Sequence, residues 1–138
     1  MSLRHKSREF ALQMLYESDL GRQSAAQIQK NFWKSARAAA GTREFAKQLF
    51  EGALAQAEAN DKLVTAFLEN WRFERVAAID RCILRLALYE VRSGTAPLAV
   101  VLNEAVELAK KFSSGDAPAF LNGVLDAACK GLQAPSTS

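Results

Sequence analysis

Between Val76 and Arg92 the chain carries Ile79, Cys82, Ile83, Leu84, Leu86, Leu88 and Val91, which cover most of a helix's circumference. Such a helix has no broad face to offer water, so it belongs at the centre of a bundle with other helices around it. The rest of the sequence supplies them. Glycine and proline are scarce, at 7 and 3, and they punctuate stretches whose apolar residues recur at helical spacing, without strand-like alternation.

Phe10, Ala11, Met14 and Leu15 form a first stripe that ends near Gly21. Ser24-Ala25-Ala26-Gln27 has the form of a capping box and predicts a second helix running toward Gly41. Thr42 is placed to cap a third, bearing Phe45, Leu49 and Ala53. A further helix is expected after Asn60-Asp61, with Leu63, Val64, Phe67 and Leu68, broken around Trp71-Arg72-Phe73-Glu74. Gly94 and Pro97 close the central helix. Leu98 to Phe112 then presents Val101, Ala105, Leu108, Ala109 and Phe112 on one side. Asp116 and Pro118 mark the start of a last helix carrying Phe120, Leu121, Val124, Leu125 and Ala128, with Gly131 as its stop. The expectation is an all-α fold, a compact bundle of about six or seven helices with short connections. A chain of 138 residues with 49% hydrophobic content buries a core without disulfides or metal. One domain is expected over residues 1–133, with a disordered tail at 134–138.

Chemistry is harder to find than structure. The single histidine, His5, lies at a chain end, which leaves nucleophilic triads and most metal sites without their usual residue. No phosphate-cradling glycine motif is present, so no cofactor is expected. Cys82 and Cys129 lie far apart without Cys-x-x-Cys spacing and read as free buried thiols. No run of about 18 apolar residues could span a bilayer, and the opening leads into charge rather than a signal-peptide segment, so a cytosolic protein with no membrane partner is expected. Glu90, Glu104 and Glu107 could in principle meet in space, which keeps carboxylate catalysis open. Positions 79, 83, 86 and 90 share a face, however, which carries Glu90 into the core and favours a buried acceptor over a catalyst.

Arg81, Arg85 and Arg92 align along one edge of the central helix and need anions, either protein carboxylates or phosphates, with internal salt bridges the favoured account. The net charge is only +3, yet Arg4-His5-Lys6-Ser7-Arg8 contains no acid. That cluster fits a solvated terminus or a phosphate-tracking arm equally well.

Three segments together resemble the NusB family of bacterial transcription antitermination factors: Arg4-His5-Lys6-Ser7-Arg8-Glu9-Phe10-Ala11-Leu12-Gln13-Met14-Leu15-Tyr16; Asp80-Arg81-Cys82-Ile83-Leu84-Arg85-Leu86-Ala87-Leu88-Tyr89-Glu90; and Asn103-Glu104-Ala105-Val106-Glu107-Leu108-Ala109-Lys110 with Phe120-Leu121-Asn122-Gly123-Val124-Leu125-Asp126. Their order and spacing cover the chain from Arg4 to Asp126. The resemblance implies two packed helical sub-bundles and an adaptor that performs no catalysis. It pairs with the small-subunit ribosomal protein NusE, binds boxA RNA and acts within the antitermination complex of RNA polymerase, notably on ribosomal RNA operons. Carried over by position, RNA contacts fall on Arg4, His5, Lys6, Arg8, Phe67, Phe112, Asp116 and Phe120, and partner contacts on Tyr16, Glu74 and Asp80. Basic residues beside stacking aromatics suit single-stranded RNA. His5 and Lys6 stand where relatives can carry a denser arginine run, and Phe67 stands where others have Tyr. Phe112 and Phe120 also sit on apolar stripes, so core packing and base stacking stay open for both. Monomer and homodimer are both compatible with the resemblance. A role in ribosomal RNA processing or ribosome assembly, and a protein-only adaptor, are the competing readings. Helix-turn-helix DNA binding ranks last, because no helix start offers base-reading side chains to solvent.

Overall fold

The computed structural model describes residues 3–68 and 72–133. Trp71 and the expected disordered tail at 134–138 lie outside the described residues. Among the described residues seven α-helices follow in order: α1 Leu3–Leu20, α2 Ala25–Ser35, α3 Ala40–Ala55, α4 Ala57–Thr65, α5 Ala78–Ser93, α6 Leu98–Phe112 and α7 Ala117–Gln133, with a 3-10 turn at Phe73–Arg75 before α5. Helix α1 packs on both α2 and α3, and α5, α6 and α7 pack on one another, with α4 against α5 and α7. Helix α5 also packs against α1 and α3. It is the expected centre: Cys82, Ile83, Leu84, Leu86 and Leu88 are all buried.

Several boundaries move for physical reasons. Ser24 caps α2 as expected, its hydroxyl accepting from the Gln27 amide at 3.1 Å. That helix stops at Ser35 rather than Gly41. Thr42 does not cap α3, which begins two residues earlier; Thr42 is buried in the first turn, and its carbonyl accepts a hydrogen bond from Ser7 at 2.8 Å. Helix α4 starts at Ala57, so Asn60 and Asp61 lie inside it: Asn60 is buried, and Asp61 faces Arg85. Gly131 lies within α7 and does not end it. Gly94 does end α5, in the left-handed conformation at φ 71°, a region that costs glycine little. Gly52 serves packing: a Cβ there would sit 2.1 Å from the Tyr89 ring, so its missing side chain lets α3 and α5 approach closely.

The arginine edge of α5 is neutralised internally at Arg81 and Arg85, whereas the exposed Arg92 meets only a neutral amide among the described residues. Arg81 and Arg85 converge on Asp19 at 2.9 and 3.0 Å, Arg85 grips Asp61 through two bonds of 2.8 Å, and Arg92 donates to the Asn60 side chain. Burial alone would raise the Asp19 carboxyl, but the hydrogen bonds and charges of Arg85 and Arg81 hold it below the usual range. Both cysteines are free and buried.

Candidate nucleic-acid interface

The basic opening of the chain forms the first turns of α1, and the helix sends its cations in different directions. Arg4 is exposed; its Nη1 donates to the Thr95 carbonyl at 2.9 Å, and its guanidinium lies 4.5 Å over the Phe45 ring. Lys6 is exposed, 3.6 Å from Glu9. His5 is half-buried between two carboxylates, Nδ1 at 2.6 Å from Glu104 and Nε2 at 3.1 Å from Glu9, and so ties α1 to α6. Lys111 of α6 reaches back to Glu9 at 2.9 Å. Burial would raise the Glu9 carboxyl, yet Lys111, with His5 and Lys6, holds it low.

Arg8 departs from the expected phosphate contact. Its side chain is 3% exposed, and it forms a two-bond pair with Glu90 at 2.8 and 2.9 Å, with Glu104 3.7 Å away. Burial opposes the charged guanidinium, but the Glu90 bond and charge outweigh it and raise the Arg8 pKa. Glu90, 2% exposed, also accepts from the Thr95 hydroxyl at 2.8 Å. The central carboxylate is therefore the buried acceptor inferred from its helical face, and its partner is the arginine that local charge had assigned to the surface. Glu107 is exposed and pairs with Lys110 at 3.4 Å.

The links His5–Glu104 and Lys111–Glu9 set α1 and α6 side by side in the same direction, so the arm lies at one end of this face and Phe112 toward the other. Phe112 is half-buried, with the Lys111 ammonium 5.5 Å from its ring centre, and it shares a cavity of about 380 Å³ with Gln13, Tyr16, Glu17 and Ile79. Phe120 is half-buried too. It lines a neighbouring cavity of about 470 Å³ with Asp116, Ser114, Arg75 and Asp80. Both rings pack against the core and still border open space.

The residues assigned to a partner split. Tyr16 and Glu74 are exposed, whereas Asp80 is buried in the Phe120 cavity wall, its Oδ1 without a hydrogen-bond partner among the described residues. Phe67 is not gathered with the other aromatics. It lies beside Gly131, near the opposite end of α7 from Phe120, roughly 16 Å away at 1.5 Å per residue.

Sequence reading passed over another basic region. Residues 25–47 hold Lys30, Lys34, Arg37, Arg43 and Lys47 against the single acid Glu44, a net +4 where the whole chain carries +3. All five cations are exposed. The signal was present in the charge pattern, but scattered through two helices and the loop between them rather than run together.

Known proteins give these features a context. The family model described as the NusB family matches residues 5–130. The transcription antitermination protein NusB of Koribacter versatilis is 45% identical over 133 residues, covering 95% of this chain and 91% of its own. That of Nitratiruptor is 40% identical over 94% of both chains. Among solved structures, a chain in the crystal structure of antitermination factors NusB and NusE in complex with dsRNA superposes with a TM-score of 0.83 at 28% identity, covering 95% of this chain and 98% of that one. No helix among the described residues is long and apolar enough to cross a membrane.

Proposed function

Because the chain belongs to the NusB family of transcription antitermination proteins, we propose that it is an antitermination adaptor that binds boxA-type single-stranded RNA together with ribosomal protein NusE. The observation that carries this reading is the layout of the α1–α6 face, with the cations Arg4 and Lys6 exposed at one end and the half-buried rings of Phe112 and Phe120 bordering open cavities at the other. Cations track phosphates, and ring faces take unpaired bases without demanding one sequence.

In this role Arg4 and Lys6 supply the charge, and His5 fixes the helix that bears them. Phe112 and Phe120 offer stacking surfaces, and Asp116 contributes a polar edge. Arg8 and Phe67 are left out of the contact set, Arg8 because its charge is buried and paired, Phe67 because of its distance from the other rings. Tyr16 and Glu74 form the exposed partner surface, suited by Glu74's charge to a basic ribosomal protein. Asp80 sits where partner and RNA surfaces meet. The adaptor performs no bond chemistry and works with RNA polymerase in the bacterial cytoplasm.

The test is fluorescence anisotropy of a short labelled RNA containing a boxA-like element against a scrambled strand, with the protein alone and with NusE. Preferential binding of the boxA strand, tightened by NusE, supports the adaptor. Equal, feeble binding of both strands with and without NusE overturns it in favour of a protein-only role.

A further inference from the structure

The cations at the start of α1 continue into a ribbon of cations and rings that crosses onto α2 and α3. The Lys6 ammonium lies 5.2 Å from the Phe10 ring centre. Phe10 meets Trp33 of α2 edge-on at 5.2 Å, and the Arg43 guanidinium of α3 lies 4.8 Å over the Trp33 indole. Two residues further along α3, Phe45 carries Arg4 in the same manner. An aromatic face holds a cation in place and leaves its charge uncancelled, for about 0.5–1 kcal/mol at an exposed site.

On α3, Arg43 and Lys47 stand four residues apart, both exposed, and line an open cavity of about 520 Å³ with Trp33. Like charges at that spacing weaken a helix by a few tenths of a kcal/mol, roughly 0.2–0.5. Neither has a carboxylate at ion-pair distance among the described residues. Two acids line the same cavity: Glu51, which accepts from the neutral Gln29 amide at 2.8 Å, and Glu44, the single acid of residues 25–47 against five exposed cations. A face with five exposed cations and one acid over residues 25–47, a net +4, calls for a polyanion. Its continuity with Arg4 and Lys6 points to the strand those residues are proposed to hold.

We propose that the α2–α3 face is a second RNA-binding stretch, which takes the phosphates of nucleotides flanking the segment held at α1 and α6, with Arg43 and Lys47 as its principal contacts. This rests on the RNA-binding role proposed above. It extends that role by a footprint longer than the arm and the Phe112–Phe120 region require, and by contacts to the backbone without base preference.

The experiment compares the wild type with the Arg43→Ala/Lys47→Ala double variant on two RNAs: the boxA-like element alone, and the same element extended at each end by about eight unstructured nucleotides, within the range a single-strand site occupies. Both positions are exposed and helical, so alanine leaves the fold intact, checked by circular dichroism. Wild-type protein binds the extended RNA more tightly and with a steeper salt dependence. The double variant loses about 1.4 from the slope of log affinity against log salt on that RNA, at about 0.7 per phosphate contact. A fourfold rise in salt thus costs the wild type about sevenfold more affinity than the variant. Arg43→Lys retains the slope. Equal binding of the two RNAs by the wild type, or an unchanged slope in the double variant, overturns the proposal. So does loss of NusE binding in the double variant with RNA binding intact, which would assign the face to an acidic protein segment. Failure of the wild type to prefer either boxA RNA over scrambled strands would instead remove the RNA role itself, and this surface with it.

Discussion

Removing one side of the Arg8–Glu90 pair separates a structural arginine from an RNA-binding one. In Arg8→Ala, the Glu90 carboxylate, 2% exposed in the wild type, keeps only the Thr95 hydroxyl of its three hydrogen bonds. A buried charge stripped of its partner costs about 3–5 kcal/mol, a large part of the roughly 5–15 kcal/mol that holds a domain folded. For a chain of this size the melting temperature drops by about 10–20 °C. Glu90→Gln strands Arg8 instead and costs a similar amount. The double replacement Arg8→Met/Glu90→Leu removes both charges at similar volume and recovers most of the loss, because desolvation offsets much of a buried pair's attraction. Urea and thermal unfolding followed by circular dichroism give the stabilities, and anisotropy against salt gives the RNA slope. The expected pattern is a severe stability loss in Arg8→Ala and an unchanged salt slope in the folded fraction. Arg4→Ala/Lys6→Ala shows the reverse, near-normal stability with a slope reduced by about 1.4. A stability cost below about 1 kcal/mol for Arg8→Ala together with a flattened slope would refute the assignment, because a well-buried ion pair cannot be lost so cheaply.

Gly52→Ala destabilises the fold by about 1–3 kcal/mol despite alanine's higher helix propensity, because the new Cβ meets the Tyr89 ring at 2.1 Å; an unfolding midpoint at or above the wild type's would show that α3 and α5 part easily. Glu9 and Asp19 titrate below their unfolded values of about 4. Their contribution to stability is therefore complete above that value and is lost as pH falls through the lower folded values. The urea midpoint should hold near neutrality and fall below about pH 4, less steeply in Asp19→Asn; identical pH profiles for the two proteins would contradict the Asp19 cluster. Burial pushes the Cys82 thiol up to about 12 and the Cys129 thiol up to about 11. At pH 8 an aromatic disulfide reagent should react with neither until urea unfolds the chain, and rapid native-state reaction of either would place it nearer the surface than the fold allows.

The helices were legible because burial dictates periodicity, and α5 announced its place by leaving almost no polar face. Boundaries were less legible where tertiary contacts overrode local signals. Thr42 has a capping residue's chemistry, but its carbonyl is engaged by Ser7 on α1, and Asn60 and Asp61 look like a helix start yet face Arg92 and Arg85. The site divided in the same way. Glu90 was placed correctly because its face could be counted along α5, whereas Arg8 was misplaced because a local run of cations says nothing about which one points inward. The net +4 of residues 25–47 was readable in principle. Its cations lie on two helices and a loop, however, and only the fold shows that Arg43 comes to rest on Trp33.

The buried pair also bears on the exposed arm. Thr95 joins them, its hydroxyl donating to Glu90 while its carbonyl accepts from Arg4 at 2.9 Å. The same carboxylate that neutralises Arg8 in the core thereby helps to hold the residue that anchors Arg4 at the surface. An arm left to itself would have to be ordered on binding, at about 0.5–1.5 kcal/mol for each rotamer-rich side chain immobilised. Tying Arg4 to Thr95 and seating it on Phe45 meets part of that cost in the free protein. A basic segment whose cations were all exposed would carry more charge and less order. This chain commits one arginine to the interior, and the interior it helps to build positions another for contact.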